Sequence, residues 1–409
     1  MLGLPSDCSS SSYLPFSSTR ALSLDGSNEY IDTGDTFQAN LRGDYSISFW
    51  AKPSDGRNAN QYIFNSENSS GEDEIYFQLG NFGVDGGPRF VMVSNADVGE
   101  WHTDSGDGSG FNFAAGAASS WTHFVITVDL QSSGDTIAKI YVNGVDKAHE
   151  HANLGSSQHD DYTSDVNLVL GARNIAGSLD KFYEGGIDEF AIWSSVLSAN
   201  AALALYNNGS PTELSSPITD VYTAQADLLL WYRCGDGHLD DIGDSGGQTS
   251  GITYNQVGAK TLGSEELTNG TFDSDLSSWT VINDGAAEDS ITWDSSGRAK
   301  IIYDTDGTQA ALGITQDTLT AGKVYRCQLD VEVIKVGSTV KVFNEAEIVS
   351  SLGNGTNIFY FRATNTHFRI YRNSASADCE VYIDNVSVKE IGPSNSGIIT
   401  GDVTSFDFI

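Results

Sequence analysis

Paired carboxylates are the residues of this chain best suited to breaking a bond. A glycoside hydrolase needs two of them flanking its substrate on one face. On a strand that means alternate positions, because successive side chains point to opposite faces. The nearest grouping is Glu184, Asp188 and Glu189 in EGGIDEF. Asp188 and Glu189 are adjacent and are therefore expected on opposite faces, and the step from Glu184 to Asp188 crosses Gly185-Gly186. The acid–nucleophile pattern is missing, so the chain reads as non-catalytic. His149 and His151, with His159, Asp160 and Asp161 close by, could bind a transition metal. No strong ligand spacing recurs, and a solvated polar loop is the expectation. No Ser-His-Asp set sits in a nucleophile elbow. The run DSGDGSG (104–110) lacks the lysine of a phosphate loop and the spacing of an EF-hand, which leaves a flexible or cation-binding loop.

Sugar recognition asks for something else: aromatic faces against pyranose rings, helped by Asn, Asp and Arg. Trp101, in VGEWHTDSGDG, is expected in an exposed loop, and Tyr62, Phe82, Phe111 and Tyr162 lie near loops. Further along, Trp293, Tyr360 and Tyr371 are placed to line a groove. Trp50, Trp121, Trp193 and Trp279 read as core or partly buried. No one of these positions is specific, since single exposed aromatics are common on protein surfaces.

The elements that must hold these residues are almost all strands. ALSLDG (21–26), YSISFWAKP (45–53), EIYFQLG (74–80), RFVMVS (89–94), WTHFVITVDL (121–130), AKIYVNG (138–144), LVLGAR (168–173) and IDEFAIW (187–193) are short apolar or alternating runs, and Asn143-Gly144 is a hairpin turn. LSANAALALYNNG (197–209) is the one helix, with Ser198 as N-cap, Leu203 and Tyr206 on one face and Gly209 as its stop. From WTVIN (279–283) to CEVYIDNVSVKEI (379–391) a second series of alternating runs follows, of jelly-roll size. The fold class is therefore all-β, two consecutive β-sandwich jelly rolls. The expected organisation is an N-terminal arm (1–19), a first sandwich (20–210), a structured connector packing on it (211–262), a second jelly roll (263–392) and a C-terminal tail (393–409). The tail ends in Phe406, Phe408 and Ile409 and reads as a docking peptide.

The chain of 409 residues carries a net charge of −34, which repels phosphate backbones and anionic headgroups and excludes nucleic acid and membranes as main partners. No run approaches the ~18 apolar residues of a membrane span. The four cysteines fit neither a zinc motif nor a dense disulfide framework. Cys327 and Cys379 fall at inward strand positions and read as buried thiols.

The ordered series ALSLDGSNEYIDTGD, YSISFWAKP, WTHFVITVD, IYVNG, LVLGAR and GGIDEFAIWSSVLSANAALALYNNG resembles the laminin-G-like branch of the concanavalin-A-like lectins and glucanases. The resemblance implies a sandwich that serves lectins, adhesion modules and structural domains alike. In that family Gly-Ile-Asp-Glu is a fold signature, which implies that Asp188 serves backbone amides or a calcium ion. The second series, opening ELTNGTFDSDLSSWTV and closing VYIDNVSVKEI, resembles the jelly-roll carbohydrate-binding modules of families four, nine and twenty-two. It implies that the opening Asn-Gly-x-Phe and closing Asp-Asn-Val lie side by side around a structural calcium, with Asp384 as a candidate ligand alongside Thr271, Asp273 or nearby carbonyls. The pairing of these modules without an export signal is similar to structural proteins of marine bacteriophages. The expected function is a non-catalytic virion component in tail fibre, receptor-binding or head-decoration position, assembled in the host cytoplasm and released by lysis. It would contact other virion proteins through its terminal arms, contact host glycans, and form a homo-oligomer such as a trimer. The alternative is an extracellular or cell-surface carbohydrate-binding adhesin; a glycoside hydrolase stands last.

Overall fold

The computed structural model describes residues 16, 18–54, 61–70, 73–79, 87–94, 97–103, 110–113, 120–130, 136–153, 162–218, 220–237, 240–241, 250–258, 261–282, 289–304, 312–373, 377–401 and 403–407. Strand Tyr45–Pro53 shows how the first sandwich is built. Tyr45, Ile47, Phe49 and Ala51 are fully buried against the facing sheet, where Phe49 meets Phe77 at 5.1 Å between ring centroids, with Phe124 of the neighbouring strand at 5.3 Å. The alternate residues Ser46, Ser48 and Trp50 are buried too, because the outer face of this sheet is itself covered. Ser46 donates its hydroxyl to the Ser195 carbonyl, and the Trp50 ring lies 6.0 Å from Tyr206.

The cover is the helix Ala199–Tyr206 together with the segment 214–231. Ser198 caps the helix by accepting the Ala201 N–H at 3.1 Å. Its buried face is Ala201, Ala202 and Leu205, and Leu203 is exposed. The small alanines let the helix approach the sheet closely, which turns Leu203 over the Asn143-Gly144 turn. A Cβ on Gly144 would meet Leu203 Cδ1 at 2.7 Å.

Among the described residues the first sandwich has an eight-stranded and an eleven-stranded sheet, and the second a six-stranded and a five-stranded sheet. All strand pairs within the second module are antiparallel. Its core joins Phe272, Trp279, Ile314, Tyr325, Phe359, Phe361 and Ile370 with the free thiols of Cys327 and Cys379. No helix among the described residues is long and apolar enough to cross a membrane.

The connection between the modules differs from a simple succession. Gly251–Thr253 pairs antiparallel with Gly397–Thr400, Ile252 opposite Ile398. Gly397–Thr400 also pairs with Tyr30–Asp32, and Thr404–Asp407 pairs with Arg20–Asp25. The second module is thus inserted between two neighbouring strands of the first sandwich. The tail that reads as a docking peptide instead contributes a strand to each of the first sandwich's sheets, because Ile399 fills that core and Ile398 the junction. Phe408 and Ile409 lie outside the described residues.

The junction is closed by Ile252, Tyr254 and Ile398 from the first sandwich against Val324, Tyr360 and Ile391 from the second. The Tyr360 hydroxyl donates to Asp241 at 2.7 Å, and the Arg362 guanidinium donates to the carbonyls of Ser394 and Thr33 at 2.6 and 3.2 Å. Gly34 (φ +68°) permits that approach: a Cβ there would lie 1.7 Å from the guanidinium.

Candidate functional site

The acid grouping of the first module is sealed. A bulge interrupts the pairing of Glu184–Trp193 with Tyr45–Pro53 between Asp188 and Ala191, and Glu189 takes a left-handed conformation (φ +49°). One irregular residue cancels the alternation. Asp188 and Glu189 therefore do not point to opposite faces: both carboxyl groups lie under the segment around Ser18. Ser18 donates to Asp188 at 2.9 Å, while Trp231 Nε1 and Arg233 Nε donate to Glu189 at 2.5 and 3.3 Å. Phe16 lies over Trp231, and the Arg233 guanidinium lies 4.3 Å from the Phe16 ring. The backbone N–H groups of Thr19 and Arg20 donate to Asp236. Burial, and then the neighbouring Glu189, push Asp188 well above the usual carboxylate range. Burial raises Glu189 to about 7 despite Arg233. Asp188 thus stands in the first sandwich, apart from Thr271, Asp273 and Asp384 of the second. Glu184 stays exposed, at the other end of its strand.

In the second module the opening and closing segments do lie side by side. The Val386 N–H donates to the Gly270 carbonyl at 2.9 Å, and a Cβ on Gly270 would lie 2.0 Å from the Val386 carbonyl oxygen. Only glycine fits there. Asp384 accepts the Asn385 N–H through one oxygen at 2.7 Å. Asp330 stands opposite Asp384 in the ladder and binds Asn385 Nδ2 and the Thr356 hydroxyl at 2.8 and 2.6 Å. Partial burial, then the charges of Asp330 and Asp273, raise Asp384 above its ordinary value, with Arg298 opposing. Thr271, Asp330 and Asn385 line a groove of about 480 Å³ beside this cluster. The Phe272 carbonyl, next to Asp273 in sequence, accepts Trp293 Nε1 at 2.7 Å. No group of three or more His, Cys, Asp or Glu gathers as a metal cluster among the described residues.

The five aromatic candidates separate. Trp101 belongs to the strand Asp97–His102 rather than a loop, and is buried against Phe90. Tyr62 also lies in a strand, buried beside Tyr76 at 5.1 Å with the Arg173 guanidinium 5.8 Å from its ring. Burial raises its hydroxyl to about 12. Tyr360 is spent in the junction between modules. Trp293 is 38% exposed at the end where Asp273 and Asp384 lie. Tyr371 stands on the outer face of the five-stranded sheet, half-buried, 5.6 Å from Phe343 and edge-on to it, with Lys341 Nζ 5.0 Å from the Phe343 ring. Gly313 lies directly under Tyr371: a Cβ would meet its ring at 2.6 Å. Phe343 and its in-register neighbour Arg369 complete this face and went unread in the sequence, although the alternation of KVF shows Phe343 sharing a face with Lys341. Tyr162 is buried, Phe111 is packed against the core, and Phe82, His159, Asp160, Asp161 and most of DSGDGSG lie outside the described residues, as do the side chains of His149 and His151.

Residues 25–202 match the family model described as the laminin G member of the concanavalin A-like lectin/glucanases superfamily. Over those residues the first sandwich is similar to this family. No curated protein matches the chain. Among solved structures, domain 4 of AbnA, a GH43 extracellular arabinanase from Geobacillus stearothermophilus, is similar at 23% identity over 46% of this chain and 76% of that one, with a TM-score of 0.31. The CBM40 of the Ruminococcus gnavus IT-sialidase, bound to α2,6-sialyllactose, is similar at 14% identity over 46% and 96%, TM-score 0.35. Tailspike protein 2 of an Escherichia coli O157:H7 bacteriophage is similar at 12% identity over 52% and 26%, TM-score 0.34. The acid pair, on the last long strand of the laminin-G-like module, and the Tyr371 face, on the inserted jelly roll, are carried by separate β-sandwiches.

Proposed function

We propose that this chain is a non-catalytic glycan-binding attachment protein of a bacteriophage virion. The observation that carries the non-catalytic reading is the burial of Asp188 and Glu189: Asp188 is fully buried, Glu189 is 4% exposed, and Trp231, Arg233 and Ser18 occupy their oxygens. A hydrolase needs its two carboxyl groups open to a sugar and a water. Glycan binding is supported by the laminin-G-like module and by the Tyr371–Phe343 face with Arg369 and Lys341 beside it. The virion setting is supported by construction: a module tethered at both ends to the first sandwich is suited to a rigid appendage. Contact with other virion proteins would run through the residues preceding Phe16, in a homo-oligomer such as a trimer. A structural calcium at Thr271, Asp273 and Asp384 belongs to the same proposal. On an array of bacterial surface polysaccharides the full chain is expected to bind without releasing reducing ends. Release that disappears in Glu189→Gln would overturn the non-catalytic reading, and absence of the chain from purified phage particles would overturn the virion setting.

A further inference from the structure

Two depressions of about 300 and 320 Å³ meet at Tyr30 and Asp32. One lies on the eleven-stranded sheet beside Asp165 and Asn174. The other lies between the modules, walled by Thr400 on one side and by Glu347 and Thr364 on the other. We propose that this inter-module cleft is a preformed binding site for a short neutral saccharide. The inference rests on the glycan-binding reading and deepens it by naming a site that neither module has alone.

The strand Tyr30–Asp32 sets the wall. Ile31 is fully buried in the core, so alternation turns Tyr30 and Asp32 outward. The Tyr30 ring is half-buried, which gives it a fixed position and an open side. Asp32 is held through one oxygen by the Gly34 N–H at 2.8 Å and Asn167 Nδ2 at 2.9 Å, leaving the second oxygen to accept from a ligand. The opposite wall keeps its distance because the second module is tethered at both ends, and Arg362 and Tyr360 bond across the junction. A site whose walls are held before the ligand arrives loses little to ordering on binding. The volumes lie at the low end of the range for small-molecule sites, ~300–1,000 Å³.

The chemistry selects the ligand class. An aromatic ring beside carboxylate, amide and hydroxyl groups matches a sugar, which has an apolar ring face and hydroxyls that donate. Asp32, Glu347 and Arg362 line the cleft, and Lys341 faces Glu347 at 3.8 Å, so its charges are close to balanced. The Arg362 guanidinium is already engaged by the carbonyls of Gly322, Ser394, Thr33 and Ser396. A lining with little net charge suits a neutral ligand better than a sialylated, sulfated or phosphorylated one.

The test uses the full chain on an array of neutral di- to hexasaccharides alongside sialylated and sulfated counterparts, followed by titration of the best binder. Neutral saccharides are expected to bind. Tyr30→Ala should weaken binding about tenfold, as loss of an aromatic anchor does. Ala346→Trp, at an exposed position on the cleft wall, should do the same by filling it. Lys300→Ala, on the six-stranded sheet and outside both depressions, should leave the affinity within about twofold, and thermal midpoints confirm that each variant is folded. If Tyr30→Ala and Ala346→Trp bind normally and Tyr371→Ala does not, the cleft is not the site although the glycan reading stands. A preference for anionic glycans overturns the neutral class. Failure of the whole array to bind overturns the glycan reading and this inference together.

Discussion

Two groups of carboxylates show how far environment outweighs residue type. In the laminin-G-like module, Asp188 and Glu189 are buried beneath Ser18, Trp231 and Arg233, and burial raises both above the carboxylate range. In the inserted jelly roll, Asp330 lines an open groove and stands opposite Asp384, which is only partly buried. The first group is buried and bonded, and holds the segment around Phe16 onto the sheet. The second borders an open groove. Clustered acids in the sequence looked alike; access separates them.

The comparison can be broken most sharply at its two packed points. Arg233→Ala leaves Glu189 buried without its cation and should cost about 3 kcal/mol, read from the denaturant midpoint; a change under about 0.5 kcal/mol would remove the pair from the account. Gly270→Ala forces a Cβ into the Val386 carbonyl and should destabilise the second module by about 2–3 kcal/mol. Retention of the wild-type midpoint would show that the opening and closing segments are not in contact.

Titration sharpens the same contrast. The Asp188–Glu189 pair holds protons in the folded state at pH values where an unfolded carboxylate, near pH 4.5, has lost them. The folded chain binds more protons across that window, so stability falls as pH rises from about 4.5 towards 7 and the loss is complete above the folded values. Asp188→Asn should flatten this slope; an unchanged slope would place the proton elsewhere. At the second group, a chelator should lower the thermal midpoint of the full chain and calcium should restore it, with Asp384→Asn abolishing the response. A midpoint indifferent to chelator would end the calcium proposal. The smallest effect belongs to the partly exposed ion pair of Lys300 with Glu380 at 2.7 Å, where Lys300→Ala should cost less than about 1 kcal/mol.

The all-β class, most strand positions, the Ser198 cap, the Asn143-Gly144 turn and the buried thiols of Cys327 and Cys379 were legible, because each depends on a local period or a local turn preference. The contact of Gly270 with Val386 was legible through the resemblance alone, since it spans more than a hundred residues. The bulge at Glu189 was not, because nothing in EGGIDEF reports a positive φ. Trp101 and Tyr62 were misplaced for a related reason: sequence next to a loop does not tell which aromatics the sheet buries. Leu203 was turned outward by the packing of two alanines, an effect of the partner surface rather than of helical period.

What the sequence determined by itself is the composition of two sandwiches, their alternation of apolar and polar faces, and an acidic surface that excludes anionic polymers, all properties of neighbours along the chain. What only the tertiary structure decided is where the chain returns. Gly397–Thr400 and Thr404–Asp407 go back to the first sandwich and turn two consecutive modules into one inserted in the other. Such pairings depend on loop closure and on matching of distant apolar faces, as Ile398 and Ile399 show, so the cleft at Tyr30 and Asp32 exists only once the chain has folded back on itself.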